Sequence, residues 1–379
     1  MERRIDLRQL VAVASLFMIA QFAGLLIVYT ALPPQTLASF ASHVAQQQAQ
    51  TTANSVTYII MMAIELVVIA AILIFVIRSS KGKNFFMLVE AYIVLLGGYF
   101  FFFLLIGDII PYINATSLTI VSAVLALLLY LSKRSKRLSG QGFRNIVTII
   151  SSVGVGTFIG INLGVQLGVL VLYAILALFA IYDYLAVFVL KFMIPLARQA
   201  ASMNLAFMIG SSEMELHPAT KSRTKTYTAK ELRAVKDPGL REMIKHGSTP
   251  MVSNIMLGNG DIMLPLLVSS GAYAYTANMS LAITIAIGSM VGLIATFWII
   301  RKYRFGLPAI PPIFALVSVA LAVFYTIAGS YYLVLVYLAG AALSLLAMYF
   351  GVKNAASAAS QAALLPGRAG ATARPLRNR

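Results

Sequence analysis

The chain has 379 residues, 60% of them hydrophobic and 11% charged, with a mean hydropathy of +0.87. A soluble domain carries about 25% charged residues, so a water-facing surface for this length is excluded, and a single polytopic membrane bundle is expected instead of several soluble domains. The net charge of +17 would raise nucleic acid as a partner, but the 29 bases sit between apolar runs. Cysteine is absent, which excludes disulfides and thiol chemistry.

A membrane helix needs about 20 mostly apolar residues. Ten such runs occur, near 9–30, 56–77, 85–106, 113–131, 146–163, 167–190, 251–273, 278–300, 308–327 and 330–351. The first is too long for a cleavable signal peptide, and no small-residue cleavage site closes it. Across the join of runs five and six, Gly156, Gly160, Gly164 and Gly168 recur every four positions. That spacing lets a neighbouring helix approach one face closely.

With ten spans and a cytoplasmic N-terminus, all 29 Lys and Arg fall on one side and the alternate connections carry none. The positive-inside rule then places the termini and the long connection in the cytoplasm of a cell-membrane protein, and nucleic acid is not an expected partner. The predicted organisation is a first set of spans over 1–163 and a second over 164–351. The second is interrupted by a polar cytoplasmic loop at 192–250 with a short helix near Ala229–Val235. A basic tail at 352–379 is expected to be disordered near the anionic membrane surface.

Four acids fall within spans: Glu65, Glu90, Asp183 and Asp261. A carboxylate at the bilayer centre costs about 2.5 kcal/mol or more, so such residues are functional candidates. Glu65 reads equally as a hydrogen-bonded carboxyl pinning two helices. Glu90 is near enough to the cytoplasmic end of its span to reach the interface.

The two aspartates agree in depth. Asp183 precedes Lys191 on a helix travelling inward, and Asp261 follows Pro250 on a helix travelling outward, so both are predicted roughly 12–16 Å from the cytoplasmic boundary. Two close carboxyls share a proton. One can act as general base on water while the other donates to a carbonyl oxygen. Gly258 and Gly260 bare one side of Asp261 for an approaching backbone, and Pro265 withholds the N–H that would bond the Asp261 carbonyl, predicting a kink. Around Asp183, Tyr182 and Tyr184 supply phenols. At the start of span nine, Pro308, Pro311 and Pro312 are expected to leave backbone groups open for strand-like pairing with an extended peptide.

These three sites, Tyr182-Asp183, Gly258-Asn259-Gly260-Asp261 and Pro308-Ala309-Ile310, together resemble the presenilin/signal-peptide-peptidase family of intramembrane aspartyl proteases, most closely its archaeal members. The family pattern is Tyr-Asp in span six, Gly-x-Gly-Asp in span seven and Pro-Ala-Leu opening span nine. The resemblance implies an all-α bundle with a nine-span core and a GxGD-type aspartic endopeptidase acting on transmembrane helical protein substrates in the lipid bilayer. By the same resemblance Asp183 and Asp261 are the catalytic pair. Tyr182, Gly258, Gly260, Pro308, Ala309 and Ile310 would shape the active site and contact substrate.

Three features depart from the pattern. Ile310 replaces leucine at similar volume. Asn259 is polar where the family carries an apolar residue, so substrate preference near Asp261 is expected to differ. A tenth run returns the C-terminus to the cytoplasm.

Other chemistries fare less well. A membrane metalloprotease needs His-Glu-x-x-His, which is absent, and a serine protease needs a histidine within a span. His43, His217 and His246 all fall in connections. Neither a zinc ligand cluster nor any cofactor is implied. The main rival is a proton- or cation-coupled transporter or channel in which Asp183, Asp261, Glu65 and Glu90 form a relay, although no repeat relates the two halves.

Overall fold

The computed structural model describes residues 7–33, 37, 56–69, 71–72, 82–110, 112–134, 140–192, 208–218, 248–303 and 308–364. Within the bilayer every backbone N–H and C=O must be satisfied inside the chain, so apolar runs fold as helices. These are α1 (Leu7–Ala31), α2 (Val56–Ile69), α3 (Gly82–Ile109), α4 (Ala115–Arg134), α5 (Gln141–Leu167) and α6 (Val169–Tyr184). After the long connection come α7 (Asn259–Thr276), α8 (Met279–Tyr303), α9 (Ile310–Ile327) and α10 (Tyr331–Leu364). Among the described residues, eight helices are long and apolar enough to cross a membrane; α2 is shorter, and α7 is not among the eight.

The chain is a polytopic helical membrane bundle, with one small exception. Strands β1 (Met208–Pro218) and β2 (Ser248–Gly258) form an antiparallel hairpin in which Ile209 pairs with Leu257. Both of these side chains are buried in the main core. This corrects two expectations. The 192–250 connection carries strand at 208–218 and 248–250, and the apolar run at 251–273 does not begin as a helix. Residues 251–258 are extended because the β-branched Val252 and Ile255 favour a strand, while Gly258 at the end is a poor helix former. The short helix expected near Ala229–Val235 lies outside the described residues.

The break between α5 and α6 is the single residue Gly168, at φ 80°, a conformation that favours glycine. The first set of spans therefore ends past residue 163, at Leu167. Gly160 and Gly164 on α5 lie directly against α7, where a Cβ on Gly164 would come within 2.6 Å of the Gly271 Cα. Helices α5 and α7 form the most intimate pair of the bundle, with α1 packed against both. The core beneath is built from Val13 and Phe17 of α1, Leu172 and Ile175 of α6, and Ile262 and Leu266 of α7.

At the other end of the chain, residues 352–364, read from sequence as the start of an irregular tail, continue α10. Their alanine-rich composition is the best available for a helix. Residues 365–379 lie outside the described residues.

Candidate active site

The site is built where α6, α7 and α9 meet. Asp183 stands one residue before the end of α6, is 7% exposed, and is followed by a π turn at Leu185–Val189. Such wider turns re-aim side chains and recur at functional positions. Asp261 is the third residue of α7. Its Oδ2 accepts the N–H of Gly258 at 3.1 Å, closing the first turn. A carboxylate there also meets the positive end of the helix dipole.

The two carboxyls lie within electrostatic reach of each other. They arrive by a route different from the one the depth argument assumed. Between Pro250 and Gly258 the chain rises as strand, at about 3.3 Å per residue, and Asp261 sits in the first turn of its helix rather than deep within one. Gly258 and Gly260 flank it unequally. A Cβ on Gly258 would touch the Asp261 carboxylate at 3.2 Å, whereas nothing lies within 4 Å of one on Gly260, so the open side is at Gly260. Pro265 is buried inside α7.

The third segment does not behave as the sequence suggested. Pro311 and Pro312 fall at the first positions of α9, where a helix has N–H groups without intrahelical partners in any case. The N–H groups that precede them are not left open for a peptide. The Ile310 N–H donates to Asp183 Oδ2 at 3.2 Å, and the Ala309 N–H also bonds the same carboxyl. Pro308 is buried, Ala309 half-buried and Ile310 7% exposed. The segment therefore holds Asp183. Tyr182 is half-buried and within electrostatic reach of Asp183, and Tyr184 packs on Phe188 at 5.2 Å between ring centroids.

Asn259 is also placed differently from expectation. It is 8% exposed, and its Oδ1 accepts the hydroxyl hydrogen of Ser152 on α5. Its amide ties α7 to α5 and does not line the open side. The other two membrane acids stay apart from the pair. Glu90 is buried in an ion pair with Lys133 in the last turn of α4, and Glu65 lies on an exposed face of α2. The four acids thus do not assemble into a relay. Among the described residues, no three His, Asp or Glu side chains gather as a metal site would require.

Sequence reasoning missed three supporting side chains. Ser152 holds Asn259, and Ser344 of α10 donates to the Pro311 carbonyl at 2.8 Å. Gln21 of α1 donates through Nε2 to the Ile262 carbonyl at 2.9 Å, next to Asp261. Only Gln21 left a signal, as an amide in the middle of an apolar run.

The family described as signal-peptide peptidase, presenilin aspartyl protease matches this chain over residues 14–312, which include both aspartates and the Pro308–Ile310 segment. No curated protein matches the chain.

Proposed function

Since the chain belongs to the family of signal-peptide peptidases and presenilin aspartyl proteases, we propose that this multi-pass membrane protein is a GxGD-type endopeptidase that hydrolyses peptide bonds in or next to transmembrane helices, with Asp183 and Asp261 as its catalytic pair. The observation that carries this reading is the approach of those two carboxyls on adjoining helices, Asp183 steadied by backbone N–H groups from the start of α9 and Asp261 by the Gly258 N–H at the start of its own helix. Two carboxyls in mutual electrostatic reach favour holding one proton between them. The ionised member takes a proton from water as that water attacks the scissile carbonyl carbon, and the protonated member donates to the carbonyl oxygen. Collapse of the resulting gem-diol breaks the C–N bond, with the proton passing to the leaving amine. No covalent enzyme intermediate is needed.

The substrate helix must unwind first, because its carbonyls are already hydrogen-bonded. Unwinding in lipid leaves backbone groups unsatisfied at several kcal/mol each. The Ala309 and Ile310 donors are committed to Asp183, so the pairing surface is better sought on the β1–β2 hairpin. Its second strand ends at Gly258, three residues before Asp261. An extended segment added to that sheet would gain main-chain bonds beside the carboxyls, with Gly260 giving room for it. Water reaches the pair from the cytoplasmic side, to which the charge distribution assigns the N-terminus and the hairpin.

Incubation of the purified protein in bilayers with a single-span model substrate tests the proposal. Cleavage should be lost in both Asp183→Asn and Asp261→Asn with helicity unchanged. Persistent cleavage in either variant removes that residue from the pair.

A further inference from the structure

We propose that Ser344, on the tenth helix, is a positioning residue for Asp183, acting through the Pro311 carbonyl and the Ile310 N–H. The inference rests on the proteolytic reading above and adds to it a helix that lies outside the matched residues 14–312.

Hydroxyls buried in membrane helices commonly return their hydrogen to the carbonyl one turn earlier. Thr148, Ser151, Thr157, Thr296 and Ser318 all bond the carbonyl four residues before them. Ser344 instead reaches out of its own helix to the carbonyl of Pro311 at 2.8 Å, and is 9% exposed. Pro311 adjoins Ile310, whose N–H donates to Asp183 Oδ2. The proline ring fixes φ near −65°, so a restraint on the Pro311 carbonyl bears on the Ile310–Pro311 peptide and, through the helical first turn that Ile310 shares, on the Ile310 N–H. Two hydrogen bonds, with Ile310 and Pro311 between them, therefore connect α10 to the carboxyl.

The rest of α10 is seated to keep that contact. Gly340 lies against the Tyr173 hydroxyl of α6 and within 3.3 Å of Phe314 of α9, counted from where a Cβ would stand. A Cβ on Gly351 would meet Phe188 at 2.7 Å and Tyr184 at 2.9 Å. These glycines bring α10 onto α6 on both sides of Asp183 in sequence. Tyr337 stacks on Tyr325 of α9 at 5.4 Å and meets Tyr173 edge-on at 4.7 Å. Ser344 is thus held between two glycines that admit α6, and its hydroxyl is aimed at the segment that grips the carboxyl.

The test compares full-length wild type, Ser344→Ala and Ser344→Thr in bilayers with the single-span substrate. Active protein is counted by stoichiometric titration with a hydroxyl-bearing peptide isostere of the gem-diol. One hydrogen bond acting on the transition state predicts that Ser344→Ala lowers kcat per active molecule about three- to tenfold with KM unchanged. Ser344→Thr, which keeps the hydroxyl, should recover kcat to within about twofold. A wild-type kcat in Ser344→Ala overturns the proposal, as does a loss that appears only in the count of active molecules or that threonine fails to recover. A wild-type protein that cleaves nothing overturns the proteolytic reading itself, a result distinct from equal activity in wild type and variant.

Discussion

The amide of Ile310 donates to Asp183 Oδ2 at 3.2 Å, joining the first turn of α9 to the last turn of α6 across 127 residues of sequence. This bond gives the Pro308–Ile310 segment a role that side-chain chemistry alone does not suggest, since Ile310 acts through its backbone. Ile310→Leu should therefore keep activity within about threefold. Ile310→Pro removes the donor at a helix start, with an added backbone cost because Ala309 before it is in the αR region that a following proline disfavours. A hydrogen bond to a charged group is worth about 1.5–3 kcal/mol, so kcat should fall about ten- to a hundredfold. Equal rates for the leucine and proline variants would show that the amide is dispensable.

The pair Ser152 and Asn259 anchors the first turn of α7 to α5. The Ser152 hydroxyl also lies 2.7 Å from the Thr148 carbonyl, so it retains an acceptor if Asn259 is replaced. The reverse does not hold: Ser152→Ala leaves a buried amide oxygen without its donor, at about 1–3 kcal/mol. Thermal unfolding in detergent should show Ser152→Ala lowering Tm, with Ser152→Ala/Asn259→Leu recovering part of the loss. Because Asn259 is turned to α5, Asn259→Leu should leave the cleavage position in a model substrate unchanged, which mass spectrometry of the products reads directly. A moved cut site would show that this side chain reaches the substrate.

How much of this was legible follows from what each feature depends on. Ten apolar runs, the four-residue glycine spacing on α5 and the acids within spans are local patterns, and each is visible without partners. The run at 251–273 misled because Met251–Gly258 is short and apolar, and periodicity does not separate a buried strand from a helix at that length. Pairing with Met208–Pro218 decides it, and the closest pair in that register, Pro218 with Ser248, is already 30 residues apart in sequence. The bonds Ser152–Asn259, Gln21–Ile262 and Ser344–Pro311 join residues 33 to 241 positions apart. Such contacts leave no periodic trace, so only coordinates reveal them.

Glu90 and Lys133 form a buried ion pair between α3 and α4, with side chains 7% and 11% exposed. Removing one partner strands a charge in a low-dielectric setting, at about 3–5 kcal/mol, whereas replacing both by apolar groups is often near neutral. Glu90→Gln and Lys133→Met should each lower Tm markedly, and Glu90→Leu/Lys133→Met should be closer to wild type. Cleavage per folded molecule should not change in any of them. A specific loss of kcat in Glu90→Gln would return this acid to the reaction.

Gly164 and Gly271 bring α5 and α7 to backbone contact, so that a Cβ on Gly164 would lie 2.7 Å from the Gly271 carbonyl carbon. No side-chain rotation relieves a clash with backbone, so the helices must separate. Overpacking of this kind costs about 1–3 kcal/mol, and here it also moves α7, which carries Asp261. Gly164→Ala should therefore lower both Tm and kcat, while Gly142→Ala, with nothing within 4 Å of the added Cβ, should lower neither. Full activity in Gly164→Ala would mean that the α5–α7 spacing does not set the position of the carboxyl.

The last expectation concerns the substrate. In the proposed mechanism a helical segment offers no free carbonyl to the attacking water, and opening several residues in lipid exposes groups at several kcal/mol each. Glycine weakens a helix by about 1 kcal/mol and proline by about 3 kcal/mol relative to alanine, so part of the unwinding is already done when such residues lie near the cut. Model substrates with one glycine pair or one proline just beside the scissile bond should be cut about tenfold faster than a polyleucine span of equal length. The gain should appear in kcat, because the intact helix docks in either case and only the opened one reacts. Equal rates for the two substrates would place the slow step before unwinding, in docking or diffusion through the bilayer, and the sheet edge beside Gly258 would then have no helix-opening work to support.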